Sequence, residues 1–445
     1  MNVEQIEKIV RSYSTKRLLV VGDLMLDEYI VGNVERISPE APVQVVEVKK
    51  EKFTIGGAGN VAENIVSLNA AVSVCGVIGN NSDGRRLRKK LEDSNIDTAG
   101  IVVDDNRPTT RKTRIIGPMN QQVLRIDWEV NKPVSEKTQK HIFQYFVKNV
   151  SQFDAVIVSD YAKGVITRPL INKITACCRE RRLPLVVDPK GKNYARYREA
   201  TMITPNLREI SQEYGRPIKT EDELIKAADY LIEKHSFDSV LVTRSSEGMT
   251  LVRQGKRPVT IPAIARDVFD VSGAGDTVAA VMGLSLAGKV SYEVAATIAN
   301  MAAGIVVGKV GTAAVVPEEI ISYTQRYYFR NKIIDPDSLK KIITAKQQTG
   351  KKFVFTHGHF NILKYEFVKF FQKARHQGDF LIVGINSDYS LKSLNRQSPL
   401  SENERSHIIS SLDCVDYVVL FDSKTPEELV QKLSPDIFID NDCNN

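Results

Sequence analysis

A short glycine-rich segment late in the chain carries the residues best suited to chemistry. Strand-like residues precede Gly273, Ala274, Gly275 and Asp276, and an apolar run that predicts a helix follows them. Small residues at such a turn let backbone N–H groups converge, and a helix N-terminus adds partial positive charge, so the turn suits a transferring phosphoryl group. Asp276 beside it has the chemistry of a general base for an attacking hydroxyl. The same pattern is also typical of an Asp that only caps a helix behind a tight turn.

Two further segments place small and acidic residues at the ends of predicted strands. A second glycine-rich strand-to-helix turn contains Gly56, Gly57 and Asn60, a pattern that close packing alone can also require. Asp23 and Asp27 follow the first predicted strand. Ligands of parallel sheets bind at the carboxyl ends of the strands, where carboxylates suit sugar hydroxyls.

Strand and helix patterns alternate around these turns. The predicted strands are Arg17–Val21, Ala155–Ser159, Leu185–Val187, Ser239–Val242 and Phe353–Phe355. The predicted helices include Pro169–Arg179, Glu221–Lys234 and Val278–Leu286. This alternation predicts an α/β fold with a doubly wound, mostly parallel sheet. Residues 29–52 instead alternate in polarity on either side of a proline-containing turn, and they predict a small β-flap.

Length and composition limit the class of protein. A chain of 445 residues predicts two or three domains, and a hydrophobic fraction of 42% excludes a mostly disordered chain. The net charge of +7 is spread without a Lys/Arg tract, which favours a small anionic substrate over nucleic acid. We find no apolar run of membrane-spanning length and no secretory signal, so we expect a cytoplasmic protein without a membrane partner. Five cysteines without a CxxC pair predict neither a zinc site nor a disulfide framework.

Together the motifs resemble those of the ribokinase-like (PfkB) sugar kinases. The general resemblance rests on the two glycine-rich turns and Asp270. Residues 36–43, 108–114 with 121–127, and 159–164 are similar to one branch, the heptose-7-phosphate kinases. These kinases are halves of bifunctional heptose kinase/adenylyltransferases of ADP-heptose and lipopolysaccharide-core precursor synthesis. The resemblance implies a ribokinase-like domain at 1–328. It also implies ATP-dependent phosphorylation of D-glycero-β-D-manno-heptose 7-phosphate at O1, giving the 1,7-bisphosphate.

The resemblance also implies roles for individual residues. Asp276 is the catalytic base, in the turn formed by Gly273, Ala274 and Gly275, and the N–H groups of Ala274, Gly275 and Asp276 hold the phosphate. The implied sugar-binding residues are Asp23, Asp27, Gly56, Gly57 and Asn60. The candidates for the distal phosphate of the substrate are Lys112, Arg114 and Arg125, each of which could equally be a surface charge.

The nucleotide side of the site follows from the same resemblance. The implied ATP-binding residues are Asp188, Lys190, Asn206, Thr243, Gly248 and Asn300. Glu209 is implied to position Mg²⁺ through water, and K⁺ is suggested near Asp270. In the family the flap pairs protomers, so a homodimer is expected.

The second part of the chain resembles the adenylyltransferase half of the same enzymes. We expect a linker at 329–350 and a Rossmann-like nucleotidyltransferase domain at 351–445. The His-x-Gly-His motif of that family falls on Lys364–Phe367, where both histidines and the glycine are absent. The family also continues past Asn445 with a further segment that touches the nucleotide. We therefore expect a degenerate and truncated domain without adenylyltransferase activity, and we interpret His357 and His359 as solvated loop residues.

Three alternative functions remain open. The first is a kinase for a different phosphorylated sugar, and the second is a bifunctional enzyme with residual heptose-1-phosphate adenylyltransferase activity. The third is a sensor or scaffold that binds nucleotide or sugar phosphate. The intact turn with Asp276 argues against the third, since a pure binding protein needs no base.

Overall fold

The computed structural model describes residues 3–118, 121–263, 269–309, 313–348 and 350–440. The chain forms two compact units, Met1–Ile321 and Ser322–Asn445, and each is described by itself. None of the helices in the described part of the chain combines the length and the apolar character needed to cross a bilayer.

The first unit contains most of the helices and strands. Its strands are β1 (Arg17–Gly22), β2 (Leu24–Ile37), β3 (Gln44–Gly57), β4 (Ala71–Gly79), β5 (Asp97–Asp104), β6 (Thr110–Ile116), β7 (Gln122–Trp128), β8 (Ala155–Ser159), β9 (Leu185–Asp188), β10 (Met202–Ile203), β11 (Ser239–Thr243), β12 (Met249–Arg253) and β13 (Val259–Ile261). Its helices are α1 (Val3–Ser12), α2 (Ala58–Ser67), α3 (Ser82–Asp93), α4 (Glu136–Asn149), α5 (Arg168–Glu180), α6 (Leu207–Tyr214), α7 (Glu221–His235), α8 (Ala274–Ala287) and α9 (Tyr292–Val306). Helix α10 (Pro317–Asn331) contains the division between the units.

The main sheet has the strand order β13-β12-β11-β10-β9-β8-β1-β4-β5. Its strands are parallel except for the antiparallel pairs β11–β12 and β12–β13 at one edge. Helices cover both faces, because Leu19 of β1 packs into one core with Phe146 of α4, whereas Leu18 lies against Gly283 of α8. Strands buried on both faces are continuous apolar runs, which is why the sequence predicts them well. The predicted α/β class and doubly wound sheet are confirmed.

The flap is larger than the sequence predicts. It is a four-stranded sheet in the order β3-β2-β6-β7, so residues 110–128 join the predicted segment 29–52. Strands β2 and β6 run parallel, and β3 and β7 flank them in the antiparallel sense. All seven residues of β7 are exposed, and a strand without a buried face lacks the alternation by which strands are recognised.

The second unit is a smaller α/β fold. Its elements are α11 (Pro336–Gln347), β14 (Phe353–Gly358), α12 (Tyr365–Arg375), β15 (Phe380–Asn386), α13 (Asp388–Ser393), α14 (Glu402–Ser410), β16 (Tyr417–Phe421), α15 (Glu427–Leu433) and β17 (Ile437–Phe438). The four strands form a parallel sheet in the order β16-β15-β14-β17.

The structure differs from the predicted linker at 329–350. Asp335 caps α11, with its carboxylate accepting from the N–H groups of Asp337 and Ser338. Leu339 and Ile343 of this helix are fully buried in the core of the second unit, against Phe353 and Phe380. The sequence suggested a linker because the buried positions Leu339 and Ile343 stand among mostly polar residues.

Candidate active site

The turn at 273–275 begins helix α8. Gly273 is the N-cap residue with φ +82°, in the left-handed region that favours glycine. The hydroxyl of Thr277 donates to Oδ1 of Asn64 on α2 at 2.7 Å, which fixes the start of α8 against α2. The first N–H groups of a helix have no intrahelical acceptor. A Cβ added to Gly275 would meet no atom within 4 Å, so these groups border space that a ligand can enter.

Asp276 lies buried in the first turn of α8. One carboxylate oxygen, Oδ2, accepts from Nδ2 of Asn60 at 2.6 Å, and Oδ1 accepts from the hydroxyl of Tyr161 at 2.9 Å. Burial raises the pKa of Asp276 to about 6, although the hydrogen bonds from Asn60 and Tyr161 lower it, and Asp27 adds to the rise. A carboxyl with this pKa is ionised at neutral pH and still basic enough to take a proton.

The glycine-rich turn before α2 packs beside this carboxylate. Gly56 has to be glycine, since an added Cβ would lie 2.2 Å from Oδ2 of Asp27. Gly57 is the N-cap of α2 with φ +57°. The side chain of Asn64 donates to the carbonyl of Asn60 at 2.8 Å, so the two asparagines connect the starts of α2 and α8.

Asp23 organises the loop that follows β8. Its Oδ2 accepts from the backbone N–H groups of Tyr161 and Lys163 at 2.8 and 3.0 Å, and its Oδ1 accepts from that of Val165 at 3.1 Å. The residue is only 1% exposed. Its predicted contact with a sugar therefore stays a prediction, beside an observed role in shaping the loop.

The three cations predicted to bind a distal phosphate lie on the flap. Arg114 of β6 pairs directly opposite Arg125 of β7. Each of the three contacts a carboxylate: Arg114 meets Asp27 at 2.5 Å, Lys112 meets Asp127 at 3.2 Å and Glu129 at 3.3 Å, and Arg125 meets Asp127 at 2.9 Å.

A second group of charged residues lies at the ends of β9 and β10. Glu209 forms a capping box with Asn206 at the start of α6, and it accepts from Nζ of Lys190 at 2.6 Å. Burial raises the pKa of Asp188 well above its usual value, and the negative charges of Asp276 and Glu209 add to the rise. Asp188 therefore lies within electrostatic reach of both Asp276 and Glu209. In the residues that the structure describes, no three metal-ligating side chains converge.

An open groove of about 890 Å³ runs beside the start of α6. Asn206 and Thr243 line it, together with Arg208 and Ser245. Gly248 and Asn300, which were also predicted to bind ATP, make contacts within the fold. Gly248, with φ +87°, would place a Cβ 2.1 Å from the carbonyl oxygen of Ile261, and the buried side chain of Asn300 donates to the carbonyl of Pro262 at 2.9 Å.

Sequence reasoning missed Tyr161, Asn64 and Thr277. Thr277 directly follows the predicted base, and Asn64 stands four residues after Asn60, so both spacings were available as signals. Tyr161 lies 115 residues from Asp276, and no local pattern indicates their contact.

The second unit also gathers polar residues at the carboxyl ends of its strands. Arg405 is fully buried, and its guanidinium donates to the carbonyls of His359 and Asn386 and to the carboxylate of Asp388. His359 hydrogen-bonds Oδ1 of Asn386 at 2.9 Å. The side chain of His357, on β14, is 14% exposed and contacts Asp440 at 3.0 Å. The interpretation as a solvated loop residue is wrong for His357, because β14 extends through it and its side chain is mostly buried. His359 lies in the loop after the strand, as predicted, but it is only partly exposed and its ring has a protein partner.

The start of α12 lies where the nucleotidyltransferase motif is expected. Lys364 is the N-cap residue without a side-chain cap, and Tyr365 is 66% exposed. Phe367 is 8% exposed and packs edge to face on Phe360 with ring centroids 5.4 Å apart. Its side chain belongs to the apolar core of the unit.

The comparisons with known proteins decide the family. The family model described as pfkB family carbohydrate kinase matches residues 15–319. Bifunctional protein HldE from Geobacter sulfurreducens is 44% identical over 443 residues, which cover 99% of this chain and 90% of that protein. The chain belongs to the HldE family of pfkB-type kinases. HldE from Trichlorobacter lovleyi is 43% identical over the same length and with the same coverage.

The HldE match extends through the second unit. The family model described as cytidylyltransferase-like matches residues 355–443, as expected for a nucleotidyltransferase fold. The comparisons do not single out this unit as degenerate, so the expected loss of adenylyltransferase activity stays a prediction.

Solved structures support the fold of the first unit. The structure of Arabidopsis thaliana ribokinase complexed with ribose and ATP is 19% identical with a TM-score of 0.57, covering 69% of this chain and 98% of that one. Escherichia coli phosphofructokinase-2 in complex with potassium is 18% identical with a TM-score of 0.58, covering 70% of this chain and 99% of that one. At these identities the likeness shows the ribokinase-like fold alone.

Proposed function

We propose that the first unit transfers the γ-phosphoryl group of ATP to O1 of D-glycero-β-D-manno-heptose 7-phosphate, giving the 1,7-bisphosphate and ADP, in ADP-heptose synthesis. The observation that carries the proposal is the buried Asp276 carboxylate, held by two donors in the first turn of α8. The identity to HldE proteins along 99% of the chain favours a heptose phosphate over other sugars.

Different residues have different roles in the proposed phosphoryl transfer. Asp276 accepts the proton of the sugar hydroxyl as its oxygen attacks the γ-phosphorus and the bond to ADP breaks. N–H groups at the start of α8 stabilise the negative charge on the transferring group, since the space beside Gly275 is open to a ligand. The groove lined by Asn206 and Thr243 is large enough for the nucleotide.

The acidic residues near the groove are compatible with a Mg²⁺ ion that is bound mainly by the phosphates of ATP. Both oxygens of Glu209 are engaged, one by Lys190 and one by the N–H of Asn206, so contact through water suits Glu209 better than direct ligation. Bound Mg²⁺ neutralises charge on the β- and γ-phosphates. K⁺ near Asp270 is a further part of the proposal, tested by replacing K⁺ with Na⁺ in the assay.

The direct test measures ADP release with Mg²⁺-ATP and a panel of acceptors. The panel contains heptose 7-phosphate, fructose 6-phosphate, ribose and no sugar. We expect turnover with the heptose alone, and loss of at least about a thousandfold in kcat for Asp276→Asn. Turnover with another acceptor would instead support a kinase for a different phosphorylated sugar, and no turnover with any acceptor would favour a binding protein.

The flap cations are proposed to bind the 7-phosphate. Each of these cations forms an ion pair with a carboxylate; the cations are Lys112, Arg114 and Arg125, and the carboxylates are Asp27, Asp127 and Glu129. A bound 7-phosphate would therefore replace carboxylates as the partner of these cations. Replacing Arg125 by Gln should raise KM for heptose 7-phosphate and leave KM for ATP unchanged. The same variant should lose the preference for heptose 7-phosphate over the unphosphorylated heptose, and an unchanged preference would remove Arg125 from the phosphate site.

We also propose that the second unit has no adenylyltransferase activity. The supporting observation is that Phe367, at a position where the motif has histidine, is packed against Phe360 in the core. A phenyl ring there can neither donate to a phosphate nor leave the core without cost. Heptose 1-phosphate with ATP should release no pyrophosphate above the blank, whereas HldE of Geobacter sulfurreducens serves as the positive control. Pyrophosphate release at the control's rate would establish a bifunctional enzyme.

The flap is proposed to join two copies of the chain. Its exposed apolar side chains include Leu124 and Trp128 of β7, each more than half exposed, at 53% and 52%. Ile126, also exposed, lies between them on the same face of the strand, and exposed apolar side chains grouped in this way are typical of an interface. Leu124→Asp should convert a dimer into a monomer in sedimentation experiments. Val103→Asp, at an exposed apolar position of β5 outside the flap, should not.

A further inference from the structure

Tyr161 connects the two carboxylates that flank the first-unit site. Its hydroxyl donates to Oδ1 of Asp276 at 2.9 Å, and its backbone N–H donates to Oδ2 of Asp23 at 2.8 Å. We propose that Tyr161 is a positioning residue for phosphoryl transfer, whose hydroxyl holds the Asp276 carboxylate in the orientation that receives the proton of the acceptor. The inference rests on the proposed role of Asp276 as the base, and it does not depend on which sugar is the acceptor.

The loop that carries Tyr161 is fixed from several sides. Asp23 accepts hydrogen bonds from three of its backbone N–H groups. Ala162 has φ +57°, which a residue with a Cβ adopts only where its surroundings impose it. Its N–H donates to Oδ1 of Asp160 at 2.7 Å, and Oδ2 of Asp160 accepts from the hydroxyl of Tyr197, also at 2.7 Å. The phenol of Tyr161 is therefore presented to Asp276 by a rigid support.

The hydrogen bond from the Tyr161 hydroxyl does not prevent Asp276 from accepting a proton. An ionised carboxylate accepts about four hydrogen bonds, and Asn60 and Tyr161 supply one to each oxygen. Capacity for the acceptor hydroxyl remains on both oxygens. With Asn60 alone, the carboxylate could rotate about the bond to its Cβ, and the alignment needed for proton transfer would be lost for part of the time.

Negative charges near Asp276 disfavour its ionised form, so the hydrogen bond donated by the Tyr161 hydroxyl helps to keep it ionised. Asp27 on β2 raises the pKa of Asp276, and Asp188 at the end of β9 interacts with it as a like charge. Glu209 and Lys190 act on Asp188 with opposite signs. Asn60 and Tyr161 are the groups that lower the pKa of Asp276. Burial and nearby carboxylates raise the pKa of Tyr161 itself well above its usual value, so its hydroxyl stays a neutral donor over the working range of pH.

The test compares Tyr161→Phe with Tyr13→Phe across pH, using whichever acceptor the wild-type chain phosphorylates. Tyr13 is a matched control, since it is buried and its hydroxyl hydrogen-bonds Ser285 on the same helix α8 at 2.6 Å. For Tyr161→Phe we expect kcat to fall about tenfold to a hundredfold with little change in KM for the sugar. We also expect the acid limb of kcat/KM to move up by about half to one pH unit. Tyr13→Phe should keep the wild-type limb.

A spectroscopic measurement separates this inference from the proposed function. The C=O stretch of protonated Asp276, identified by its loss in Asp276→Asn, is followed by infrared difference spectroscopy as the pH is lowered. Tyr161→Phe should shift the band and raise its titration midpoint, whether or not the panel contains the true acceptor. A wild-type band and midpoint in Tyr161→Phe would overturn the inference, as would a wild-type acid limb and kcat. Failure of every acceptor would count against the proposed function alone.

Discussion

At the scale of single residues, Asp276 combines two opposing requirements. A base needs a negative charge, and a water-free site for phosphoryl transfer makes that charge costly. Asn60 and Tyr161 reduce the cost, and the pKa of Asp276 still settles at about 6 because burial outweighs their hydrogen bonds. The proposed base is therefore ionised near neutral pH and loses its charge in mild acid.

The first prediction concerns the pH dependence of the reaction. The base works only when ionised, so kcat/KM should fall about tenfold per pH unit below pH 6, the value to which burial raises the pKa of Asp276. Initial rates between pH 5 and 8 at saturating Mg²⁺-ATP measure this limb. A limb that lies near pH 4 would mean that the base is an unburied carboxyl elsewhere in the chain.

The second prediction concerns stability. The pKa of Asp276 rises from 3.8 unfolded to about 6 folded, so the folded state binds more protons between these values. The destabilisation is therefore complete above pH 6 and disappears as the pH falls through 3.8. Asp276→Asn should raise the free energy of unfolding by up to about 3 kcal/mol at pH 8 and little at pH 4. Urea unfolding at both pH values tests it, and an equal effect at both would contradict the linkage.

At the scale of elements, helix α8 uses two glycines for two different purposes. Gly275, in its first turn, borders open space, whereas a Cβ on Gly283 would lie 2.6 Å from Cδ1 of Ile157 on β8. Gly283 lets the helix pack closely on the sheet, and Gly275 leaves the N-terminus accessible to a ligand.

The third prediction distinguishes the role of Gly275 from that of Gly283 by replacing each glycine with alanine. Gly275→Ala should keep or raise Tm, because alanine favours the helix and meets no neighbour, while kcat falls at least about tenfold as the methyl group enters the phosphate position. Gly283→Ala should lower Tm, because the overpacked core has to shift. Thermal unfolding and ADP release on both variants provide the measurement. Wild-type kcat for Gly275→Ala would mean that the phosphate binds elsewhere.

The same helix shows how far the sequence predicts the site. The glycine turn, Asp276 and the buried strands carry local signals, and the structure bears out the elements around them. The sequence does not predict the ion pairs of the flap cations. Lys112 contacts Asp127 because β6 and β7 are neighbouring strands. The contact between Tyr161 and Asp276 likewise depends on the order of strands in the sheet, which no spacing in the chain encodes.

At the scale of the whole molecule, the chain has two units with separate cores. A large apolar core lies against one face of β1, β8 and β9 in the first unit, and two smaller clusters lie on the faces of the sheet in the second. Separate cores are expected to unfold in separate steps. The buried helix α11 belongs to the second of them.

The fourth prediction uses this separation. Leu339→Ala removes a fully buried side chain of α11 at a cost of about 2–5 kcal/mol. Calorimetry should show two transitions, of which the variant lowers one by about 10 °C, while kinase kcat stays within about twofold of wild type. A single transition that shifts as a whole would show that the two units unfold cooperatively.

The packing of Phe367 also limits the evolutionary paths open to the second unit. The ring contacts Phe360 and lies in the same apolar cluster as Phe371. Histidine at this position would bury a polar imidazole in place of an apolar ring and would destabilise the second unit. Introducing a histidine at this position would therefore require stability gained elsewhere in the second unit. The packing of the core thus favours the aromatic ring at this position independently of any nucleotide chemistry.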